Sequence, residues 1–191
     1  MAQVERVRAV GGGLLDDDRV DPNMANQDGA TALTLAAYKG HALVVTLLLA
    51  DERVDPNIAD QYGFTALMFA AGKGHASVVT LLLADERVDP NIADQKGFTA
   101  LMFAADSVPV VTLLLANDRV DPNMASQVGN TALILAAIKG HAPVVTLLLA
   151  DGRVDPDLTN QYGRTAITCA SLNRHDSVVK LLLADDAVWI N

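Results

Sequence analysis

The eighteen residues VVTLLLADERVDPNIADQ occupy positions 44–61 and return unchanged at 78–95. The rest of the chain repeats with the same period. Asp-Pro-Asn begins at Asp21, Asp55, Asp89 and Asp121, and Asp-Pro-Asp at Asp155, in steps of 34, 34, 32 and 34 residues. Thr-Ala-Leu or Thr-Ala-Ile begins at Thr31, Thr65, Thr99, Thr131 and Thr165, and VVTLLLA or VVKLLLA at Val44, Val78, Val110, Val144 and Val178. A unit this short cannot bury its apolar side chains alone. A near-copy on each side covers the faces that would otherwise meet water, so the period implies a linear stack of units. Half of the chain, 51%, is hydrophobic and only 4% is aromatic, so the core of that stack is aliphatic.

Within a unit the local signals follow in order. Thr31 suits a helix N-cap, because its hydroxyl can accept from an orphan backbone N–H. ALTLAAYK follows, with Leu33, Ala36 and Ala37 at helical spacing. Gly40 suits the left-handed position that closes a helix. A second helix runs through ALVVTLLLA, whose apolar residues wrap most of its circumference, and is expected to be buried on nearly all sides. Asp55-Pro56-Asn57 then supplies turn chemistry, and Gly63 closes a second turn into Thr65.

Helix, Gly-His, helix and double turn at this period resemble the ankyrin repeat. TALTLAAYKGHALVVTLLL at 31–49 is similar to that family's T-P-L-H-x-A-A-x-x-G-H-x-x-V-V-x-L-L-L, and the resemblance runs over about residues 10–191. It implies an all-α ankyrin-repeat solenoid: stacked helix-turn-helix units joined by β-turn or hairpin-like loops. The expected organisation is one domain over 1–191, with a partial cap at 1–25 and repeats at 26–59, 60–93, 94–125, 126–159 and 160–191. Three departures matter. The family's Pro-Leu-His is Ala-Leu-Thr, Ala-Leu-Met or Ala-Leu-Ile here. The segment ADERVD carries an extra residue and lacks the family's glycine, which implies a longer or differently closed second helix. In the third repeat AADSVPVV (104–111) stands for AAGKGHASVV, which implies a tight link between its two helices and a local kink, with Pro109 in the first turn of the second.

The search for chemistry excludes more than it assigns. His41, His75, His141 and His175 hold one slot in four different units. Neighbouring slots lie about 8–10 Å apart, the packing distance of helices, whereas zinc needs ligands at about 2.0–2.3 Å from one centre. Each His is therefore expected to bond to backbone within its own repeat, as the resemblance implies. The single cysteine, Cys169, replaces Leu35, Phe69, Phe103 and Leu135 and is expected to be a small core residue. Gly11-Gly12-Gly13 lacks the Gly-Lys-Ser/Thr ending of a phosphate loop. The Asp-Glu pairs 51/52 and 85/86 are expected to form a solvated loop face. No catalytic arrangement, cofactor or metal is expected. The net charge of −9 argues against nucleic acid, and no apolar run approaches the length of a membrane span. With no secretory signal in the first residues, an intracellular, cytoplasmic protein is expected, the nucleus remaining open. The turn residues Asn23, Asn57, Asn91 and Asn123 fit the outline of the family's asparaginyl-hydroxylation target, except that Pro precedes each Asn. They are taken as turn residues.

Function must then lie in the slots that vary between units. In ankyrin arrays the turn tips and first-helix face form the concave groove that grips partners. Carried over by slot, that groove holds aromatic anchors at Tyr38, Tyr62, Phe64, Phe98 and Tyr162 and positive charge at Lys39, Lys73, Lys96, Lys139 and Arg164. The implied function is non-catalytic recognition of a protein partner, an acidic and apolar segment. The alternatives are a structural subunit or spacer in a larger assembly, favoured by the near-identity of the repeats, or a regulatory fragment of a longer ankyrin protein.

Overall fold

The computed structural model describes residues 20–186, and the glycine-rich cap segment lies outside them. Ten helices alternate between two layers, and no strand occurs among the described residues. The inner layer is α1 (Ala32–Lys39), α3 (Ala66–Gly72), α5 (Ala100–Phe103), α7 (Ala132–Lys139) and α9 (Ala166–Leu172). The outer layer is α2 (Ala42–Leu49), α4 (Ala76–Ala84), α6 (Val108–Leu115), α8 (Ala142–Leu149) and α10 (Asp176–Asp186). Antiparallel partners pack on each other in the first, second, fourth and fifth repeats, and each helix packs on the next helix of its own layer. The core between the layers is aliphatic, with Leu67, Val79, Leu82, Val111 and Leu133 among its most buried members.

The inner helices start as expected. Thr31, Thr65, Thr131 and Thr165 accept a bond from the backbone N–H three residues on, satisfying one orphan donor each. Gly40 and Gly140 close α1 and α7 in the left-handed conformation, at φ 74° and 73°. In the last repeat Arg174 occupies that slot at φ 59°. An L side chain there is strained by roughly 1–2 kcal/mol, so Arg174→Gly is expected to raise the thermal midpoint. Differential scanning calorimetry checks this.

The outer helices are not buried all round. In α4 only Val78, Val79 and Leu82 are fully buried, Leu81 and Leu83 are half-covered, and Ser77 and Thr80 face solvent. Such a helix touches its partner and two layer neighbours, and its fourth side has no further layer to meet.

The third repeat absorbs its deletion differently from expectation. Its link is not tight: Ala104–Ser107 is four residues long, against the two that join α1 to α2. The inner helix shortened instead, and α5 keeps only four residues. Its partner α6 must hold register with α4 and α8, since Val110, Val111 and Leu114 are all buried, so the last inner turn unwound. Pro109 lies in the first turn of α6, where its missing N–H has no helical partner to lose.

The histidine expectation is also corrected. His75 donates from Nε2 to the carbonyl of Tyr38 at 3.1 Å, and His175 to that of Ile138 at 2.9 Å, so each bonds to the preceding repeat and not its own. The third repeat has no such His. His141 instead meets the Asp106 carboxylate at 3.1 Å, which Lys139 also reaches at 2.8 Å. Thr99 makes no side-chain cap either. With its caps and staples missing, α5 with its link is expected to exchange amide hydrogens fastest among the inner helices, by at least tenfold over α3. Hydrogen-exchange mass spectrometry resolved to peptides checks this.

The Asp-Glu loops are not simply solvated. Asp51, Asp85 and Asp151 each grip the arginine two residues on, at 2.7, 2.6 and 2.6 Å. The middle residues, Glu52, Glu86, Asp118 and Gly152, face solvent, and Arg53, Arg87 and Arg119 are exposed in part. The guanidinium then reaches back to the previous repeat. Arg87 donates to the carbonyls of Leu49, Glu52 and Val54 at 2.8, 3.2 and 3.0 Å. Arg119 and Arg153 repeat the grip on Leu83 and Val88 and on Leu115 and Val120. The orphan carbonyls at the ends of α2, α4 and α6 are thus capped by the next repeat's arginine, with its charge at the negative end of the helix dipole. This is the differently closed second helix that the missing glycine implied.

Hydrogen bonds from these arginines hold the carboxyls of Asp51, Asp85 and Asp151 below the usual aspartate range. A lowered folded-state value means that the stabilisation is complete above the unfolded value, about pH 4, and is lost as pH falls through the depressed one. From these groups the thermal midpoint is expected to be level between about pH 5 and 8 and to drop below about pH 4. Asp85→Asn should flatten that acid limb in circular-dichroism melts.

Candidate partner-binding surface

The surface is built from the turns upward. In each turn one side chain closes the loop on itself: Asp60 Oδ1 accepts from the N–H groups of Tyr62 and Phe64, both at 2.9 Å, and Asp94 does the same for Lys96 and Phe98 at 2.8 Å. Successive tips are then joined. The N–H of Gln95 donates to the Tyr62 carbonyl and that of Gln127 to the Lys96 carbonyl, while the side chains of Gln95 and Gln127 donate to the carbonyls of Gln61 and Gln95 at 2.7 Å each. Below the tips, Asn57 accepts from the N–H of Asp89 and donates to the carbonyl of Arg87. Asn23, Asn91 and Asn123 make the same pair of bonds to the unit that follows. These asparagines are therefore more than turn residues; they clamp consecutive repeats.

On that frame the expected residues fall into three groups. The first is continuous. Tyr38 meets Phe69 edge-on with centroids 5.5 Å apart. Phe69 stacks on Phe64 at 5.2 Å, while Phe64 and Phe103 at 4.9 Å and Phe103 and Phe98 at 5.6 Å meet at a tilt. Five rings thus form one row across the first three repeats. Lys39 and Lys73 place their Nζ atoms 5.2 and 4.8 Å from the Tyr38 centroid, within cation–π reach. Phe64 and Phe98 are half-buried against the core, so they support the units as well as forming surface. The second group is the exposed pair Tyr62 and Lys96 on the turn tips, with Tyr62 59% exposed. The third is detached from the row: Tyr162, 67% exposed, carries the Arg164 guanidinium at 5.6 Å. Lys139 stands apart from all three, held by Asp106.

Phe69 and Phe103 belong to the row, although slot reasoning did not place them there. Their position four residues after the capping Thr was counted as core, and the buried Cys169 at the same slot agrees with that count. Burial pushes the Cys169 thiol up. What marks the slot as surface is Leu35, 48% exposed in the first unit. Among the described residues no group of three or more metal-ligating side chains converges, and no helix is long and apolar enough to cross a membrane.

The family model described as Ankyrin repeats (3 copies) matches the chain at residues 12–94, 44–126 and 101–190. No curated protein matches it.

Proposed function

The chain belongs to the ankyrin repeat family, whose repeats generally mediate protein–protein interaction and are typically non-catalytic, and we propose that it recognises a protein partner through the face made by its turn tips and inner helices. The partner is a segment of acidic and apolar character. The array 1–191 acts as one recognition unit, whose binding residues are Tyr38, Lys39, Tyr62, Phe64, Lys73, Lys96, Phe98, Lys139, Tyr162 and Arg164.

One observation carries this reading: a row of five rings in contact runs along a single face, flanked by Lys39 and Lys73, which have no carboxylate in ion-pair range among the described residues. Aromatic and cationic anchors on a rigid frame are the usual source of binding energy at interfaces. The test is capture from source lysate by the tagged protein beside Tyr62→Ala/Lys96→Glu, which alters only exposed tip residues, and Glu52→Lys/Glu86→Lys on the outer loops. A protein lost with the tip variant and kept by the loop variant supports the reading. Loss only with the loop variant overturns it and favours burial of the outer face in an assembly.

A further inference from the structure

We infer that the recognition face is polarised: its binding site is the strip over the first three repeats, and the end of that strip at Tyr38 is a clamp for one anionic side chain of an extended partner segment. This rests on the reading above and narrows it.

The clamp follows from geometry. Two ammonium groups lie 5.2 and 4.8 Å from the centre of one ring, so they stand within about 10 Å of each other. Neither has a carboxylate in ion-pair range among the described residues, although the chain carries 23 acidic residues against 14 basic ones. Like charges gathered at one ring repel, and an anion bound beside that ring offsets the cost while offering an acceptor to two charged donors. The frame is set before binding. Tyr38 stands next to the last residue of α1, its carbonyl receives the His75 bond, and its ring is backed edge-on by Phe69. A Cβ on Gly40 would lie 2.8 Å from His75 Nδ1, so the backbone there has one way to close.

From the clamp the strip continues as Phe69, Phe64, Phe103 and Phe98 and then ends. The fourth and fifth repeats offer Leu135 and Cys169 at the Phe69 slot, and Asn130 and Arg164 at the Phe64 slot. The lysine at the end of the fourth repeat's inner helix, Lys139, already holds Asp106. A continuous aromatic row flanked by lysines therefore occurs only at the first three units among the described residues, and Tyr162 with Arg164 in the fifth is an isolated pair. The segment that fits is extended, with a carboxylate or phosphorylated side chain at one end and apolar side chains following it. Both anions present the same chemistry, and a competition arm separates them.

The test uses the whole chain and a displayed library of random twelve-residue peptides. The expected selection is enriched in Asp or Glu followed by apolar residues. The best peptide, synthesised with a fluorophore, is expected to weaken at least tenfold against Lys39→Glu/Lys73→Glu, to weaken as salt is raised, and to change less than twofold against Val128→Ala/Leu172→Ala, which alters exposed side chains of the fourth and fifth repeats. Replacing its acid by phosphoserine shows which anion the clamp prefers. A selection without acids, or one that ignores both lysines yet fails with Phe64→Leu/Phe98→Leu, overturns the clamp and leaves the recognition face standing. Peptides that ignore every substitution on this face, or no retained peptide at all, overturn both. Circular-dichroism melts of each variant identify any loss that comes from unfolding.

Discussion

Gly129→Ala is expected to lower stability by roughly 3 kcal/mol, from two causes that a second glycine separates. Gly129 has φ 79°, which an L residue adopts only under strain, and its absent Cβ would lie 2.8 Å from Asn160 Cα and 2.9 Å from Gln161 N. Both are backbone atoms of the next turn and cannot step aside, so the tips would have to part and the Gln161–Val128 bond would lengthen. Gly163 has the same left-handed backbone, φ 67°, and nothing within 4 Å of a built Cβ. Gly163→Ala therefore isolates the strain alone, about 1 kcal/mol. Urea melts of the two variants should differ by about 2 kcal/mol. Equal losses would mean that the tips separate freely and that their ladder adds little.

Arg87→Ala removes the second large contribution. It takes away the fork on Asp85 and three bonds to carbonyls at the end of α2. Hydrogen bonds to charged groups are worth about 1.5–3 kcal/mol when the partners stay buried. The Arg87 side chain is 35% exposed, so water replaces part of them, and the net loss is expected at roughly 2 kcal/mol. Arg87→Lys should recover little, because a single ammonium cannot hold a carboxylate and three diverging carbonyls together. A lysine variant as stable as the parent would show that charge at the helix end matters and the fork does not.

How far the sequence reveals the molecule depends on the distance between a residue and its partner. The Thr caps and the glycine closures of α1 and α7 are complete within a few residues, so the letters alone identify them. The clamps escape such reading. Asn57 meets the carbonyl of Arg87 and the amide of Asp89, while Arg87 meets carbonyls as far back as Leu49. No local pattern contains such a pair. The signal was present in another form: the arginine of this loop recurs at 53, 87, 119 and 153 while the residue before it drifts through Glu, Glu, Asp and Gly. A charged residue that stays fixed among drifting neighbours has something to hold. The binding face was half legible. Slots gave Phe64 and Phe98, but the rings completing the row stand in a slot shared with a buried cysteine, and only packing shows that one slot serves both uses.

The bonds between repeats also have a direction. Arginine, glutamine and, in two units, histidine side chains reach back to carbonyls of the unit before their own, whereas the asparagine clamps reach forward. A ribosome releases the chain in that same order. Each unit emerging from it would carry the donors that finish its predecessor, so the array can set progressively behind the point of synthesis, with only its newest outer helix end waiting for an arginine.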